Sequence, residues 1–469
     1  MTSILGRLKK GNNFRSNKRI ASQARETPEF KKRLEFLRRS QWWSAEKLEA
    51  YQLKELKRVV SFAYKYIPYY RDLFAELRLT PRDIKKLSDL QKLPTLTRKA
   101  IQQNYDRLLP DGINPKSLLY RTTGGSTGNP LVIFSDMQFV SRDRANTLYY
   151  LEVAGYDPYN YKSVRLYGDQ IPEKLVKKNI FWYTARDGKQ LVLSCYHITK
   201  ATVAGYVATL NTFNPAYIHA RPSAIYTFAR QMKDEHLTLN VQIGAIFCDG
   251  EILYDAQRAL IEKIFKTRVY NVYGHTEGAT VGISCPHGRL LHFLPQVGIL
   301  ELLDRRGKSV TREGGRGEMV VTGFNNGIFP LIRYKTQDVG IATQKRCSCG
   351  RAYRMLKKVE GRVQDYVVNA EGAVVPLAPA VFNYNDMDWT GIDQFKIEQN
   401  TPGKLIFKVV AHVDAMKKRQ DIKQRLVDKF SNIFGPLFSV TVVFADTIAY
   451  TAIGKHRYLD QKLNVQSYL

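Results

Sequence analysis

The ten residues "RTTGGSTGNP", Arg121–Pro130, set four hydroxyl side chains (Thr122, Thr123, Ser126 and Thr127) among three glycines, Gly124, Gly125 and Gly128. Glycine lets backbone N–H groups approach an anion closely, and hydroxyls add donors, so this composition suits a phosphate. Taken alone, it suits an ordinary surface loop as well. It is not a Walker-type loop: Gly-x4-Gly-Lys-Ser/Thr is absent and the segment holds no lysine. Four further blocks follow it: "YGHTEG" at Tyr273–Gly278, "RYKTQD" at Arg333–Asp338, "GRVQD" at Gly361–Asp365 and "AIGKHR" at Ala452–Arg457.

A second group of residues has the chemistry of a metal site. "CPHGRLLH" holds Cys285, His287 and His292, and about 60 residues later "CSCG" holds Cys347 and Cys349. Three thiols and one imidazole can complete a tetrahedral zinc site, although Cys-x-Cys is tighter than the common spacing. Unligated cytosolic cysteines are the other reading. His287 is the expected fourth ligand because it shares a Gly-containing turn with Cys285. His292 precedes an apolar stretch and is expected to face a binding pocket instead. Cys195 and Cys248 lie in apolar runs and read as core.

These residues need elements to position them. From Pro28 to about Leu77, apolar residues recur at three- and four-residue spacings, with Thr27-Pro28 and Ser44 as helix starts. Apolar runs bounded by turn residues follow: "LVIFSD", "SVRLYG", "AYIHA", "AIFCDG" and "RVYNVYG". Helical stretches lie between several of them, the alternation of βαβ units and a largely parallel sheet. After about residue 290 the texture changes to hairpins with Gly-rich turns. The last hundred or so residues, with "FKIEQNTPGKLIFKVVAHV", "MKKRQDIKQRLVDKF" and "FSVTVVFAD", read as a small α+β unit. The expected class is α/β plus α+β.

The formal net charge is +29 at pH 7, and residues 1–40 hold twelve Lys/Arg against three Glu. Such a surface is either simply well solvated or attracts something acidic: a membrane surface, an acidic carrier protein or nucleic acid. No motif has base-reading spacing, so no nucleic-acid partner is expected. Residues 1–25 carry seven basic and no acidic side chains and read as a basic flexible tail. With no apolar face beside the charge, at most weak peripheral membrane contact is expected. No run reaches the ~18 apolar residues of a membrane span, and the N-terminus lacks a signal-peptide core. Five cysteines, an odd and sparse set, are not a disulfide framework. A cytoplasmic location is expected.

In order and spacing the five blocks resemble the adenylate-forming superfamily of acyl-CoA synthetases, luciferases and peptide-synthetase adenylation domains. Within it the chain is similar to the phenylacetate–CoA ligase branch and its capsular-polysaccharide, CapK-type relatives; "YQLKELKRVVSFAYKYIPYYRDLF" adds to that likeness, which spans roughly residues 45–460. The resemblance implies a large N-terminal domain over residues 26–361, with parallel-rich sheets and helices. It also implies a small mobile C-terminal α+β domain over 362–469. The implied reaction has two steps. A carboxylate attacks the α-phosphate of ATP, giving acyl-AMP and pyrophosphate, and the thiol of coenzyme A or of a carrier protein's phosphopantetheine then takes the acyl group. The first step builds negative charge on phosphate oxygens and so calls for donors and cations held in place.

The resemblance also implies roles. Thr123, Gly125, Ser126, Thr127 and Gly128 would hold the β- and γ-phosphates. Gly250 and Glu251 would lay backbone against adenine, Tyr273-Gly274 would stack on its face, and Asp338 and Arg362 would hold the ribose. Thr276 would bond the α-phosphate and Glu277 would ligate Mg²⁺, a hard cation suited to a carboxylate. Asp365 would be the hinge, and Lys455 would reach the substrate carboxylate and the α-phosphate. Some members of the branch carry a structural Zn²⁺, matching Cys285, His287, Cys347 and Cys349 here. The acid's pocket is expected from Tyr167-Gly168, His219–Pro222, Phe247 and the residues after Tyr273. The chain departs from the family pattern at Leu131, where lysine is common, at Gly124, where Ser or Thr is common, and at Gln337, where glycine is usual. Three questions stay open at this level: an amine or hydroxyl acceptor in place of a thiol, an idle acyl-binding or scaffold homologue, and whether the chain forms a homodimer.

Overall fold

A computed structural model of the chain describes residues 18–122, 131–169, 171–185, 188–362, 366–372, 374–377, 391–412, 418–434, 436–449 and 457–465. Two compact units divide it: Met1–Asn160 with Tyr270–Glu360, and Tyr161–Val269 with Gly361–Leu469.

The first unit begins with helices α1 (Lys18–Glu26), α2 (Pro28–Ser40), α3 (Ala45–Tyr66) and α4 (Pro68–Glu76). The expected starts are where the chain places them. The Thr27 side chain accepts from the Phe30 N–H with Pro28 in the first turn, and Ser44 accepts from the Lys47 N–H. The apolar faces of α3 and α4 (Leu56, Val60, Ala63, Phe74) enter one core with Phe134, Phe329 and Tyr334. After α5 (Arg98–Gln103), strands β1 (Leu119–Thr122) and β2 (Val132–Ser135) form an antiparallel pair on either side of residues 123–130, and α6 (Met137–Val153) follows.

The second unit opens with the parallel-sheet pattern read from the sequence. Its elements are β3 (Ser163–Tyr167), α7 (Glu173–Val176), β4 (Trp182–Ala185), β5 (Gln190–Ser194), α8 (Val203–Phe213), β6 (Tyr217–Ala220), α9 (Pro222–Asp234), β7 (Ala245–Asp249) and α10 (Asp255–Phe265). Their order is β7-β6-β3-β5-β4, parallel except for β4. Near-continuous apolar strands such as Ala245–Cys248 are what burial on both faces requires.

The chain returns to the first unit with β8 (Arg268–Gly274), β9 (Val281–Ser284), β10 (Leu291–Phe293), β11 (Gly298–Leu303), β12 (Arg316–Gly323), β13 (Tyr334–Ala342) and β14 (Arg354–Arg362), in the order β11-β12-β13-β14-β10-β9-β8. The rest of the second unit is the α+β piece. A hairpin of β15 (Tyr366–Val368) and β16 (Val374–Pro376) precedes β17 (Ile392–Thr401), β18 (Lys404–Ala411), α11 (Arg419–Phe434), β19 (Ser439–Phe444) and β20 (Leu459–Gln461). The last four strands pair as β19-β18-β17-β20. The α11 helix covers them, with the Phe430 and Phe407 rings 4.0 Å apart in a core that is separate from that of β3–β7.

Candidate active site

Strand β8 runs out at Tyr273-Gly274 into a turn closed by the Gly278 N–H donating to the His275 carbonyl at 3.0 Å. Gly278 is required on two counts. Its φ is +67°, and a Cβ would stand 2.4 Å from the Arg121 guanidinium and 2.7 Å from the Phe139 ring. Arg121 is buried near the end of β1, lies 4.8 Å over Phe139 and pairs with Asp143 at 3.3 Å. The end of β1 therefore lies beside this turn.

Glu277 is buried, with Oε1 accepting from the Tyr334 hydroxyl at 2.7 Å and Oε2 facing His275 Nδ1 at 3.0 Å. Burial by itself would raise its pKa. The hydrogen bond and charge of His275 and the Tyr334 hydroxyl outweigh burial and hold the carboxyl well below the usual carboxylate range. An ionised Glu277 only accepts, so Nδ1 carries the proton of that bond. Among the described residues, His275 Nε2 is left buried with no hydrogen-bond partner.

The Tyr273 hydroxyl donates to Asp338 Oδ2 at 2.6 Å, and the Tyr273 ring packs 5.7 Å from Phe293. Burial and the adjacent Asp338 carboxylate push the Tyr273 hydroxyl well above its ordinary range, which keeps it the donor. A bulge in β13 aims Asp338: the register against β12 slips between the pairs Lys335↔Val320 and Val339↔Glu318. In the middle of that bulge Gln337 has φ +66°. This left-handed conformation suits glycine without strain, which is the physical reason glycine was expected there.

The first unit thus brings together Tyr273, Glu277 and Asp338 of the expected set, with Thr276 half-buried and Gly274 exposed on the same turn. His275 and Tyr334 were not anticipated. Their only sequence signal was a place inside the "YGHTEG" and "RYKTQD" blocks. Thr123, Gly125, Ser126, Thr127, Gly128, Asp365 and Lys455 lie outside the described residues, as does the Arg362 side chain.

In the second unit, the carboxyl ends of parallel strands β3, β6 and β7 gather Tyr167, His219 and Asp249, the position where open α/β sheets take ligands. The Tyr167 hydroxyl donates to Asp249 Oδ1 at 2.5 Å, His219 Nε2 lies 3.2 Å from Oδ2, and the Arg165 guanidinium sits 4.3 Å over the Tyr167 ring. Tyr167 and His219 were expected pocket residues, whereas Asp249 was missed as the last residue of an apolar run. Just beyond, Gly250 turns the chain at φ +75°, and Glu251 Oε2 accepts from the Ser223 N–H at 2.9 Å in the first turn of α9. The Glu251 side chain therefore caps a helix.

Asp249 carries a pH prediction. Burial would raise its pKa, but His219, the Tyr167 hydroxyl and Arg221 hold it well below the carboxylate range. A depressed folded pKa contributes stability above the unfolded value of ~3.9, lost as pH falls through the folded value. Asp249→Asn is expected to melt below the wild type near neutral pH, with the difference shrinking below about pH 4. Thermal melts from about pH 7 to pH 3 check this; a difference that persists unchanged at the acid end contradicts it.

The cysteines converge. Cys285 Sγ lies 3.5 Å from Cys347 Sγ, Cys349 Sγ lies 3.4 Å from His292 Nε2, and all four ligand atoms are within 4.8 Å of one another. Tetrahedral zinc, with ligands at ~2.0–2.3 Å, needs ligand–ligand edges of roughly 3.3–3.8 Å, so this donor set fits. His292 Nδ1 lies 3.1 Å from the Leu290 carbonyl, the outer bond that fixes a ligating imidazole. The fourth member is therefore His292 and not His287, which corrects the expectation from sequence proximity. The register His292↔Ile283 in the β9–β10 hairpin folds His292 back beside Cys285, while His287 stays in the connecting turn. Burial pushes the Cys285 thiol up to about 12, so its thiolate needs a cation beside it. Protein purified without a metal-affinity tag is expected to carry about one zinc per chain, released at low pH. Cys347→Ser should melt several degrees lower with little change in turnover per folded molecule. Substoichiometric zinc by elemental analysis would instead support unligated thiols.

No family model matches the chain. Protein CapK of Staphylococcus aureus is 28% identical over 83% of this chain and 84% of its own length. The phenylacetate–coenzyme A ligase of Thermus thermophilus is 25% identical over 69% of this chain and 72% of its own. That of Escherichia coli is 23% identical over 81% and 84%. Among solved structures, 2-hydroxyisobutyryl-CoA ligase in a postadenylation state matches with a TM-score of 0.68 at 16% identity, over 91% of this chain and 93% of that one. That likeness shows the fold, and the sequence relatives lie in the branch that the five blocks resemble.

Proposed function

We propose that this chain, a homologue of CapK and of phenylacetate–coenzyme A ligases with the fold of acyl-CoA ligases of the adenylate-forming superfamily, activates a carboxylic acid with ATP. The products of the first step are acyl-AMP and pyrophosphate, and a thiol, of coenzyme A or of a carrier protein, accepts the acyl group in the second. The observation that carries this reading is the preorganised polar cluster of the YGHTEG turn: an ionised, buried Glu277 held by His275 and Tyr334, in the same unit as the Tyr273–Asp338 pair that joins the YGHTEG and RYKTQD blocks.

Each residue has a physical task. Asp338, already an acceptor for Tyr273, accepts from the ribose hydroxyls, and the Tyr273 ring offers its face to adenine. Thr276 donates to the α-phosphate. The Glu277 carboxylate accepts from His275, Tyr334 and its own backbone N–H and still retains lone-pair capacity, which fits a hard cation. Mg²⁺ held there supplies positive charge against the phosphate oxygens. The hydroxyls and N–H groups of the Thr123–Gly128 segment hold the outgoing pyrophosphate, and Lys455, on a small mobile domain over residues 362–469, positions the attacking carboxylate. The Cys285–His292–Cys347–Cys349 set holds a structural Zn²⁺ and takes no part in the chemistry.

The likeness to CapK supports a place in surface polysaccharide assembly. Pyrophosphate release with ATP and Mg²⁺ across a panel of carboxylic acids tests the first step, and mass analysis of products with coenzyme A, an amine or a sugar added tests the acceptor. Failure of every acid to release pyrophosphate would favour an idle acyl-binding homologue.

A further inference from the structure

A cleft of about 330 Å³ opens in the first unit between α2, α3 and the turn after β12, at the lower end of the ~300–1,000 Å³ of small-molecule pockets. It contains none of the residues assigned above to the reaction. Its charges are unevenly matched. Glu29 is held by Arg142 at 2.5 Å and Glu55 by Arg58 at 2.8 Å, which leaves Lys32 and Arg33. Lys32 is exposed at the cleft, whereas Arg33 is 7% exposed. The Arg33 guanidinium donates to neutral oxygens, Asn146 Oδ1 at 3.2 Å and the Gln296 carbonyl at 3.0 Å, beside the Tyr51 hydroxyl, and the Glu29 carboxylate that acts on it is already paired with Arg142. A buried guanidinium stays charged, and a carboxylate shared with another arginine offsets its burial only in part.

A further feature points to a ligand. The other wall is aromatic: the Phe36 ring lies 5.2 Å from Tyr51, which lies 6.4 Å from Phe324.

We propose that this cleft binds a small organic carboxylate, with Arg33 taking the carboxylate, Lys32 adding attraction at the mouth, and Phe36, Tyr51 and Phe324 carrying the apolar body. Inorganic phosphate meets Arg33 equally but gains nothing from the aromatic wall, and a neutral isostere gains nothing from Arg33.

Hydrogen–deuterium exchange on the full chain, without ATP, tests this with phenylacetate, 2-phenylethanol and inorganic phosphate as probes. Peptides covering residues 28–66 report the cleft, and peptides covering 273–278 report the active site separately. Phenylacetate alone of the three is expected to slow exchange in 28–66. Arg33→Gln is expected to raise the phenylacetate concentration needed by about 10–100-fold, the scale of one hydrogen-bonded charge. Lys32→Glu, an exposed change that leaves the fold intact, is expected to raise it severalfold, and carries the test if Arg33→Gln does not fold. The proposal is overturned if phenylacetate gives no protection in 28–66. It is also overturned if phosphate or 2-phenylethanol protects equally, or if Lys32→Glu leaves the midpoint unchanged.

Discussion

Lys455→Ala is expected to lower ATP–pyrophosphate exchange by about 10²–10³-fold, the scale of losing one preorganised charge partner in a transition state. The residue falls in "AIGKHR", between β19 and β20. Its task is to bring an anion, the substrate carboxylate, up to a second anion, the α-phosphate. Two like charges approach only if a cation lies between them, so the loss should appear in the adenylation step. Thioester formation from preformed acyl-AMP should survive, because the phosphate–carboxylate encounter is already over. The melting temperature should be little changed. Wild-type exchange in the variant would remove Lys455 from the mechanism, and equal loss in both half-reactions would indicate a structural role.

Glu277→Gln is expected to lower exchange by about 10²-fold or more and to raise the Mg²⁺ concentration needed for half-maximal rate. The substitution keeps the size of the side chain and one oxygen for the Tyr334 hydroxyl. It removes the charge that His275 and Tyr334 stabilise at 3.0 and 2.7 Å. A hard cation loses most of its affinity when a carboxylate becomes an amide, because the amide offers one neutral oxygen in place of a charged pair. Circular dichroism and a melt would separate this from unfolding. A folded variant with an unchanged Mg²⁺ requirement would leave Glu277 as a structural partner of His275 and Tyr334.

The amino-acid sequence by itself determined the local elements and the residue chemistry. Thr27-Pro28 and Ser44 dictate helix starts because their side chains satisfy N–H groups nearby in the chain. The apolar runs ending at Tyr167, Ala220 and Asp249 became parallel strands, since runs of that length between helices can be buried on both faces. Tyr273, Glu277 and Asp338 were singled out because their blocks resemble those of the adenylate-forming superfamily, and the structure brings them together in one unit. Only the tertiary structure decided which side chains meet. His292, and not His287, joins the thiols because hairpin register, a property of two strands together, carries it back beside Cys285. Tyr334 reaches Glu277 across 57 positions of sequence, and Asp249 reaches Tyr167 across 82. No local pattern encodes such encounters, because they depend on strand order. Arg33 shows the same division. Its sequence neighbours, Lys31, Lys32 and Glu35, suggest a solvated helix face, and only the packing of α2 against Asn146 and Gln296 buries its charge.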